Sequence, residues 1–435
     1  MWLSSSAPSR PSLEGGTPRN VVLVIGCTVR ADQLTPWGAP EDVTPFLASR
    51  AAQGVRFDDT IAQAPWTRPA VTAIVTGRHA LELGMVEPGD GLNEHRLPDD
   101  VATLAGLLRG AGRRTLGLSA NPNASAKYGF DNGFDRYVGD VQDWRHEAVA
   151  KVPGAVVVDQ ALDLVDGLGP KEPFYLQLVL TDAHLPDDTS AAEVLRFSRE
   201  GLPQRVARYR ARLRRVDDAV ARLIVGLEAR GHDGRDTLFV FIGDHGEGLG
   251  YPVGHGPVHG RYLYPSSVHV PWLMWGGGVA KSVTVSGLAR QLDLLPTVAR
   301  YVGAPVPPEA RGADLSPALR GQPVAGADEA IVDTWFREAN RAAIYTSTRF
   351  CQANFGAESP VLVSPTGLPL PRFEEGCFDR QADPEARRPF RDEQLFERLR
   401  RWRKETQSRA PALTPNPPMS EEEEEALRAL GYMDP

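Results

Sequence analysis

The sequence predicts an α/β protein with a mainly parallel central sheet flanked by helices, followed by a small C-terminal α+β subdomain. From Asn20 onwards, apolar runs of strand length alternate with helical patterns, which is typical of a parallel sheet covered on both faces. The runs are short and nearly all apolar, as expected for strands buried on both sides. After about residue 320 the pattern changes to short strands and a polar helix. We therefore expect a flexible N-terminal segment at 1–19, a main domain at 20–325 and a C-terminal subdomain with a terminal helix at 326–435.

The first element of the main domain is the apolar strand 21–25, and four more predicted strands lie at 115–118, 174–180, 238–242 and 268–275. The first helix is predicted at 46–53, because Thr44 and Pro45 are typical of a helix start and Gly54 of a helix end. Further helices are predicted at 101–109, 156–168, 203–230 and 289–302. In the subdomain we expect strands at 331–334 and 342–346, a helix at 391–406, a loop at 411–418 and a last helix opened by a capping box of Ser420 and Glu423.

Composition narrows the classes of function. The chain has 435 residues, of which 42% are hydrophobic and 24% charged, enough for a large buried core. Its formal net charge is −8, so no positive field is available for a nucleic-acid partner. No apolar run approaches the roughly 20 residues of a membrane span, and we expect no transmembrane segment. Residues 1–19 lack the apolar centre of a secretory signal peptide, so either the protein is cytoplasmic or the chain begins after a removed export segment.

Polar residues follow several of the predicted strands, at the edge where open α/β sheets bind ligands. Asp244 and His245 come directly after strand 238–242 and could offer a carboxylate oxygen and an imidazole nitrogen to one metal ion. Such pairs are also common in turns that bind nothing. Asp182 and His184 follow strand 174–180, and His255 and His259 lie in glycine-rich sequence.

A hydroxyl candidate lies before the helix-like run 71–75. Thr67 would lie near a helix N-terminus, where backbone N–H groups and the helix dipole stabilise an anion, so it could be a metal-bound nucleophile. The alternative is that Thr67 only caps the helix, with Pro69 in the first turn.

The order and spacing of these segments resemble the sulfatase family within the alkaline phosphatase superfamily, from about Asn20 to Met433. Residues 20–32 look like the first strand and metal loop of that family, 69–78 like its nucleophile helix and 243–247 like its second metal loop. Residues 182–186 resemble the substrate-binding His-x-Pro segment of the family, and later segments match in order at 259–264, 270–271, 293–297, 378–379, 383–384 and 427–432. The resemblance implies an alkaline-phosphatase-like fold, with His184, His259 and Arg78 as substrate-binding residues and Arg78 packing behind the nucleophile helix.

Two departures from the family pattern decide the expected chemistry. Thr67 stands where a sulfatase carries the Cys or Ser that becomes formylglycine, and the Arg of that motif is absent. Threonine cannot give the aldehyde, so we expect no formylglycine. Related phosphoethanolamine transferases and lipoteichoic acid synthases use threonine there, which keeps Thr67 as a candidate nucleophile.

The second departure is Cys27, at the position of the first metal-binding carboxylate. The matching ligand set of Cys27, Thr28, Asp244 and His245 does not supply the six or more oxygens that Ca²⁺ requires. With the oxygen of Thr67, it favours one Zn²⁺ or Mn²⁺ ion instead. The alternative is that Cys27 is only a small buried hydrophobe and that the site holds no metal.

These expectations give two candidate functions. The first is a metal-dependent hydrolase or transferase that acts on an anionic ester substrate, phosphate in preference to sulfate, through Thr67. The second is a catalytically degenerate member of the family that serves as a binding or scaffold protein. A second metal held by Asp182, His184 and His259 is a further option. The resemblance suggests an exported or periplasmic protein, although the chain shows no signal peptide; the compartment and the oligomeric state stay open.

Overall fold

The structure is a computed structural model of the chain. It describes residues 17–85, 95–140, 143, 151–169, 171–250, 259–336, 339–356, 375–410 and 419–430. The predicted N-terminal segment up to residue 16, His255, the loop 411–418 and the end of the segment 427–432 lie outside the described residues.

The main domain is built on a sheet of eight strands in the order β4-β3-β5-β1-β6-β7-β2-β8. Strand β1 pairs in parallel with β5 and β6, whereas β7 runs antiparallel to both of its neighbours. The predicted mainly parallel sheet is confirmed, with one reversed strand. The strands are β1 Asn20–Gly26, β2 Gly54–Ile61, β3 Arg114–Ser119, β4 Arg136–Val138, β5 Phe174–Leu180, β6 Thr237–Gly243, β7 His269–Gly276 and β8 Val283–Arg290.

Helices cover both faces of this sheet. Alternate side chains of β1 show why: Val21 and Leu23 belong to one buried apolar cluster, and Val22 and Val24 to the other. The helices are α1 Pro45–Ala51, α2 Thr67–Thr76, α3 Leu104–Gly110, α4 Gly154–Asp166, α5 Ala191–Phe197, α6 Gln204–Ala229, α7 Pro265–Val268, α8 Leu294–Tyr301, α9 Ser316–Leu319, α10 Glu393–Arg409 and α11 Glu421–Ala429. In the described parts of the chain, no helix combines the length and the apolar character needed to span a membrane.

A second, antiparallel sheet begins at Ala330, with the strand order β12-β11-β10-β9. Its strands are β9 Ala330–Phe336, β10 Ala339–Tyr345, β11 Arg349–Asn354 and β12 Gly376–Asp379. Helix α10 packs on it through an apolar cluster that includes Leu395 and Leu399. Cys351 and Cys377 face each other in register on β11 and β12 and form a disulfide.

Several predicted boundaries are wrong. The helix predicted from residue 289 begins only at Leu294, because β8 continues through Arg290 and Asp293 accepts the N–H of Arg290. The helix predicted from residue 101 begins at Leu104, where the Thr103 side chain caps it. Gly54, predicted as a helix end, is the first residue of strand β2. This strand was not predicted from the sequence, because its charged residues interrupt the apolar pattern.

Candidate active site

The site lies at the carboxyl edge of the central strands. Gly26 of β1 pairs in register with Gly243 of β6, so the residues that follow these glycines, Cys27 and Asp244, are neighbours across the sheet edge. The first turn of α2, with Thr67, lies against the same edge. Because strand order and register bring these loops together, residues far apart in sequence share one buried site.

Cys27, Asp244 and His245 form a candidate metal centre, with ligand atoms within 4.8 Å of one another. Asp244 Oδ1 accepts the backbone N–H groups of Thr28 and His245, at 2.9 and 2.5 Å. Its Oδ2 is buried without a hydrogen-bond partner and lies 3.5 Å from His245 Nε2. His245 Nδ1 lies 2.9 Å from the Gly246 carbonyl, so it carries the hydrogen and Nε2 keeps its lone pair. An unsatisfied carboxylate oxygen beside an imidazole lone pair and a sulfur fits a divalent cation.

The electrostatics of these three side chains agree with that fit. Burial raises the pKa of Asp244 to about 6 despite its two backbone N–H donors. Burial, reinforced by the charge of Asp244, also raises the pKa of the Cys27 thiol. Burial and the nearby His259 lower the pKa of His245. Burial therefore shifts each of the three groups towards its neutral form, and metal binding would release the Cys27 thiol proton.

Thr67 lies directly beside this group. Its Oγ1 is 3.3 Å from His245 Nε2 and 3.4 Å from Cys27 Sγ. The alternative that Thr67 caps the helix is wrong, because the cap residue of α2 is Trp66 and no side chain caps the helix. The Cys27 sulfur faces the Thr67 hydroxyl at 3.4 Å and Cys27 is fully buried, so its role as a metal ligand and the alternative of a small buried residue without metal both stay predictions.

Three histidines cluster at the site. The ring of His259 lies 4.8 Å from that of His184 and 4.6 Å from that of His245, measured between centroids. Glu247 Oε2 lies 3.3 Å from His259 Nδ1. Burial alone would raise the pKa of Glu247, but the adjacent His259 brings it down to about 2. The ionised Glu247 carboxylate orients the His259 ring.

Two sequence predictions do not fit this geometry. Arg78 follows the C-terminal end of α2, about 15 Å along the helix from Thr67, and its Nε pairs with Glu82 Oε2 at 3.9 Å. Asp182 Oδ1 accepts the N–H of Gly154, at 3.0 Å. Within the described ranges, the group of Cys27, Asp244 and His245 is the only metal-type cluster, so Asp182 does not form a second one with His184 and His259.

Sequence reasoning missed Asn121, which follows β3 at the same edge of the sheet. Its Nδ2 donates to Thr67 Oγ1 at 3.1 Å and to Cys27 Sγ at 3.3 Å. Its Oδ1 accepts the N–H of Asn123, at 2.9 Å, which fixes the orientation of the amide. Asn123 Oδ1 in turn accepts from Arg68 Nη2 at 2.9 Å. The signal was present, because Asn121 is a polar residue just after an apolar run, as Asp182 and Asp244 are.

Comparison with known proteins agrees with the fold. Arylsulfatase A of Bos taurus is 27% identical over 368 residues, covering 71% of this chain and 69% of that protein. Among solved structures, BT4656 in complex with its substrate D-glucosamine-2-N,6-O-disulfate has a TM-score of 0.69 at 17% identity, covering 90% of this chain and 98% of that one. The phosphonate monoester hydrolase of Agrobacterium radiobacter has a TM-score of 0.65 at 17% identity, covering 90% and 95%.

The family model described as Sulfatase matches residues 19–304, which is more than half of the chain. That range contains the loop of Cys27, the loop of Asp244 and His245, and helix α2, which begins at Thr67. The expected alkaline-phosphatase-like architecture is confirmed by the structural neighbours. The chain therefore belongs to the sulfatase family.

Proposed function

We propose that this protein is a metal-dependent hydrolase or transferase that cleaves a phosphate ester, in preference to a sulfate ester, with Thr67 as the nucleophile. The observation that carries the proposal is the position of Thr67 Oγ1 at the start of α2, 3.3 Å from His245 Nε2 and 3.4 Å from Cys27 Sγ. The first turn of a helix directs backbone N–H groups at an anion, which suits a tetrahedral oxyanion beside Thr67.

Cys27, Asp244 and His245 would hold one divalent ion. One sulfur, one nitrogen and a carboxylate favour Zn²⁺ or Mn²⁺ over Ca²⁺, which requires more oxygen ligands. When bound, such an ion polarises the ester and makes a coordinated hydroxyl more acidic.

The chain's own side chains prepare the nucleophile. Asn121 Nδ2 donates to Thr67 Oγ1, so the hydroxyl hydrogen must point elsewhere; in the metal-free protein, His245 Nε2, Cys27 Sγ and the Asp244 carboxylate lie near enough to accept it. This arrangement fixes the rotation of the hydroxyl before a substrate arrives. His259 lies beside the ring of His245, and His184 beside that of His259; these two histidines would bind the non-bridging oxygens of the ester.

The proposed reaction is a double displacement at phosphorus. Thr67 Oγ1 would give its proton to water and form a bond to phosphorus while the bond from phosphorus to the leaving oxygen breaks, and the leaving oxygen would take a proton from water to become an alcohol. Water or an acceptor alcohol then attacks the same phosphorus and releases Thr67.

The identity of residue 67 argues against formylglycine chemistry, since threonine cannot be converted to that aldehyde. The phosphonate monoester hydrolase among the structural neighbours supports a phosphorus ester. The neighbour solved with a disulfated glucosamine makes a sulfated sugar the competing substrate class.

The test compares Thr67→Ala with Thr72→Ala, a matched control. Thr72 is buried in the same helix and its hydroxyl binds only the backbone carbonyl of Arg68, at 2.8 Å. Zinc- or manganese-loaded wild type and the control should hydrolyse an aryl phosphate mono- or diester faster than an aryl sulfate. Thr67→Ala should lose at least about 100-fold in kcat. Equal rates for Thr67→Ala and wild type would remove Thr67 from the mechanism.

Metal analysis and the intact mass of the protein distinguish the proposed enzyme from a catalytically degenerate member of the family. We expect about one Zn²⁺ or Mn²⁺ per chain and an unmodified threonine at residue 67. A protein that takes up neither ion and turns over neither ester would support a binding or scaffold role instead.

A further inference from the structure

Lys151 is a buried lysine, 7% exposed, that lies just before α4 and has no part in the chemistry proposed above. Its Nζ donates to three backbone carbonyls: to His184 at 3.0 Å, and to Asp182 and Pro186 at 3.2 Å each. The carboxylate of Asp188 lies 3.2 Å from the same nitrogen. Four oxygens of the loop after β5 therefore converge on one ammonium group.

That convergence imposes a shape on the loop. Carbonyls of alternate residues turn towards one point, and buried carbonyls are costly unless they accept a hydrogen bond. An ammonium group carries three N–H donors, and its charge makes each hydrogen bond stronger than one from a neutral donor. Without Lys151, the carbonyls of Asp182, His184 and Pro186 would lose this common donor. The loop would then change its backbone conformation so that these carbonyls reach other hydrogen-bond donors.

A second set of contacts fixes the same loop from the same side. The N–H of Gly154 donates to Asp182 Oδ1 at 3.0 Å, and Thr181 Oγ1 donates to the Val152 carbonyl at 3.4 Å. Residues 151–154 thus bind the beginning of the loop as well as its centre.

The loop sets the position of the His184 imidazole. His184 is fully buried, its carbonyl accepts from Lys151, and its Nδ1 lies 2.5 Å from the Leu185 carbonyl. Its ring lies 4.8 Å from the ring of His259. A change in the backbone at 182–186 would therefore move the ring relative to His259 and the Thr67 hydroxyl.

We infer that Lys151 is a positioning residue, whose ammonium group holds the loop that aims His184 at the anionic group of the substrate. The inference rests on the proposed function for the nature of that substrate. It concerns geometry alone, so binding of an anion tests it without turnover.

The experiment measures binding of inorganic phosphate by calorimetry, and the KM and kcat of an aryl phosphate. The variants are Lys151→Met, which keeps the length without the charge, Lys151→Ala, which leaves space, and His184→Ala as the reference for losing the imidazole. Lys127→Met is the matched control, because the Lys127 side chain is 8% exposed against 4% for Lys151, and its Nζ pairs with Glu423 at 2.7 Å.

We expect phosphate to bind about tenfold more weakly to Lys151→Met and to His184→Ala than to wild type, with KM raised and kcat less affected. Ammonium chloride should restore binding in Lys151→Ala, because the ammonium ion fits the same four oxygens. Sodium chloride at equal ionic strength should not, and Lys127→Met should respond to neither salt.

Wild-type phosphate affinity in Lys151→Met, or in His184→Ala, overturns the inference. So does a loss in Lys151→Ala that ammonium leaves unchanged, or failure of both Lys151 variants to fold even with ammonium present, since either result assigns Lys151 a purely structural role. Phosphate binding by wild type without turnover would instead count against the proposed function and leave the inference standing.

Discussion

Replacing Asp244 by asparagine should change stability in opposite directions with and without metal. In the metal-free protein, Asp244 Oδ2 is buried without a hydrogen-bond partner and lies 3.5 Å from a further acceptor, the Nε2 lone pair of His245. An unsatisfied buried group of this kind costs about 1–3 kcal/mol. Asp244→Asn puts an N–H donor there, while its remaining oxygen can still accept from the backbone.

The expected temperature shifts follow from the size of the protein. At roughly 2.1 cal/mol/K per residue, unfolding 435 residues has an entropy of about 0.9 kcal/mol/K. Metal-free Asp244→Asn should therefore melt about 1–3 °C above metal-free wild type. Zinc at 100 times its dissociation constant adds about 2.7 kcal/mol, which should raise the melting temperature of wild type by about 3 °C and that of the variant hardly at all.

The assay is differential scanning calorimetry in EDTA and in excess zinc. Asp182→Asn is the matched control, because Asp182 also has one buried oxygen without a hydrogen-bond partner and another that accepts a backbone N–H. It should raise the metal-free melting temperature but keep the zinc shift. A zinc shift of wild-type size in Asp244→Asn would refute the assignment of Asp244 as a ligand, and equal metal-free melting temperatures would refute the argument from the unsatisfied oxygen.

Two further predictions concern groups away from the ester site and its ligands, and one concerns the accessibility of Cys27. Replacing Cys351 and Cys377 together by serine should destabilise the protein by about 3.5 kcal/mol, since the disulfide closes a sequence separation of 26 residues; calorimetry should show a drop of about 4 °C, and an unchanged melting temperature would contradict the pairing. Cys27 is a free and buried thiol, so an alkylating reagent should modify one cysteine per non-reduced chain in denaturant and none in native buffer. Burial raises the pKa of Asp217 from 3.8 to about 6, against two backbone N–H donors of α1 that lower it. Because the folded pKa lies above the unfolded one, this contribution to stability is complete below about pH 4 and falls by about 3 kcal/mol as the pH rises past 6; Asp217→Asn should remove that part of the pH dependence of the melting temperature.

The sequence pattern predicted correctly the elements that depend on residues close together in the chain. The apolar runs that became β1, β5 and β6 were recognised because a strand buried on both faces must be apolar throughout. The capping box of Ser420 and Glu423 was predicted correctly, since it depends on residues three apart. Strand β2 was missed because its charged residues break the apolar run.

The site was only partly predictable for the same reason. Asp244 and His245 are adjacent in sequence, and their place at a strand end could be read directly. Asn121 could not be assigned to the nucleophile, because its contact with Thr67 spans 54 residues and depends on the position of the loop after β3. Arg78 was misplaced because a resemblance in sequence does not state how far a helix carries a residue from its first turn.

The sequence by itself determined the class of fold, the family and which residue types were available: a threonine where an aldehyde precursor would stand, and a cysteine in place of a carboxylate. Only the tertiary structure decided that the Cys27 sulfur faces the Thr67 hydroxyl, that Asn121 binds both, and that Lys151 holds the loop of His184. Periodicity and capping act between residues a few positions apart, whereas these contacts depend on strand order and register, which join residues tens to hundreds of positions apart.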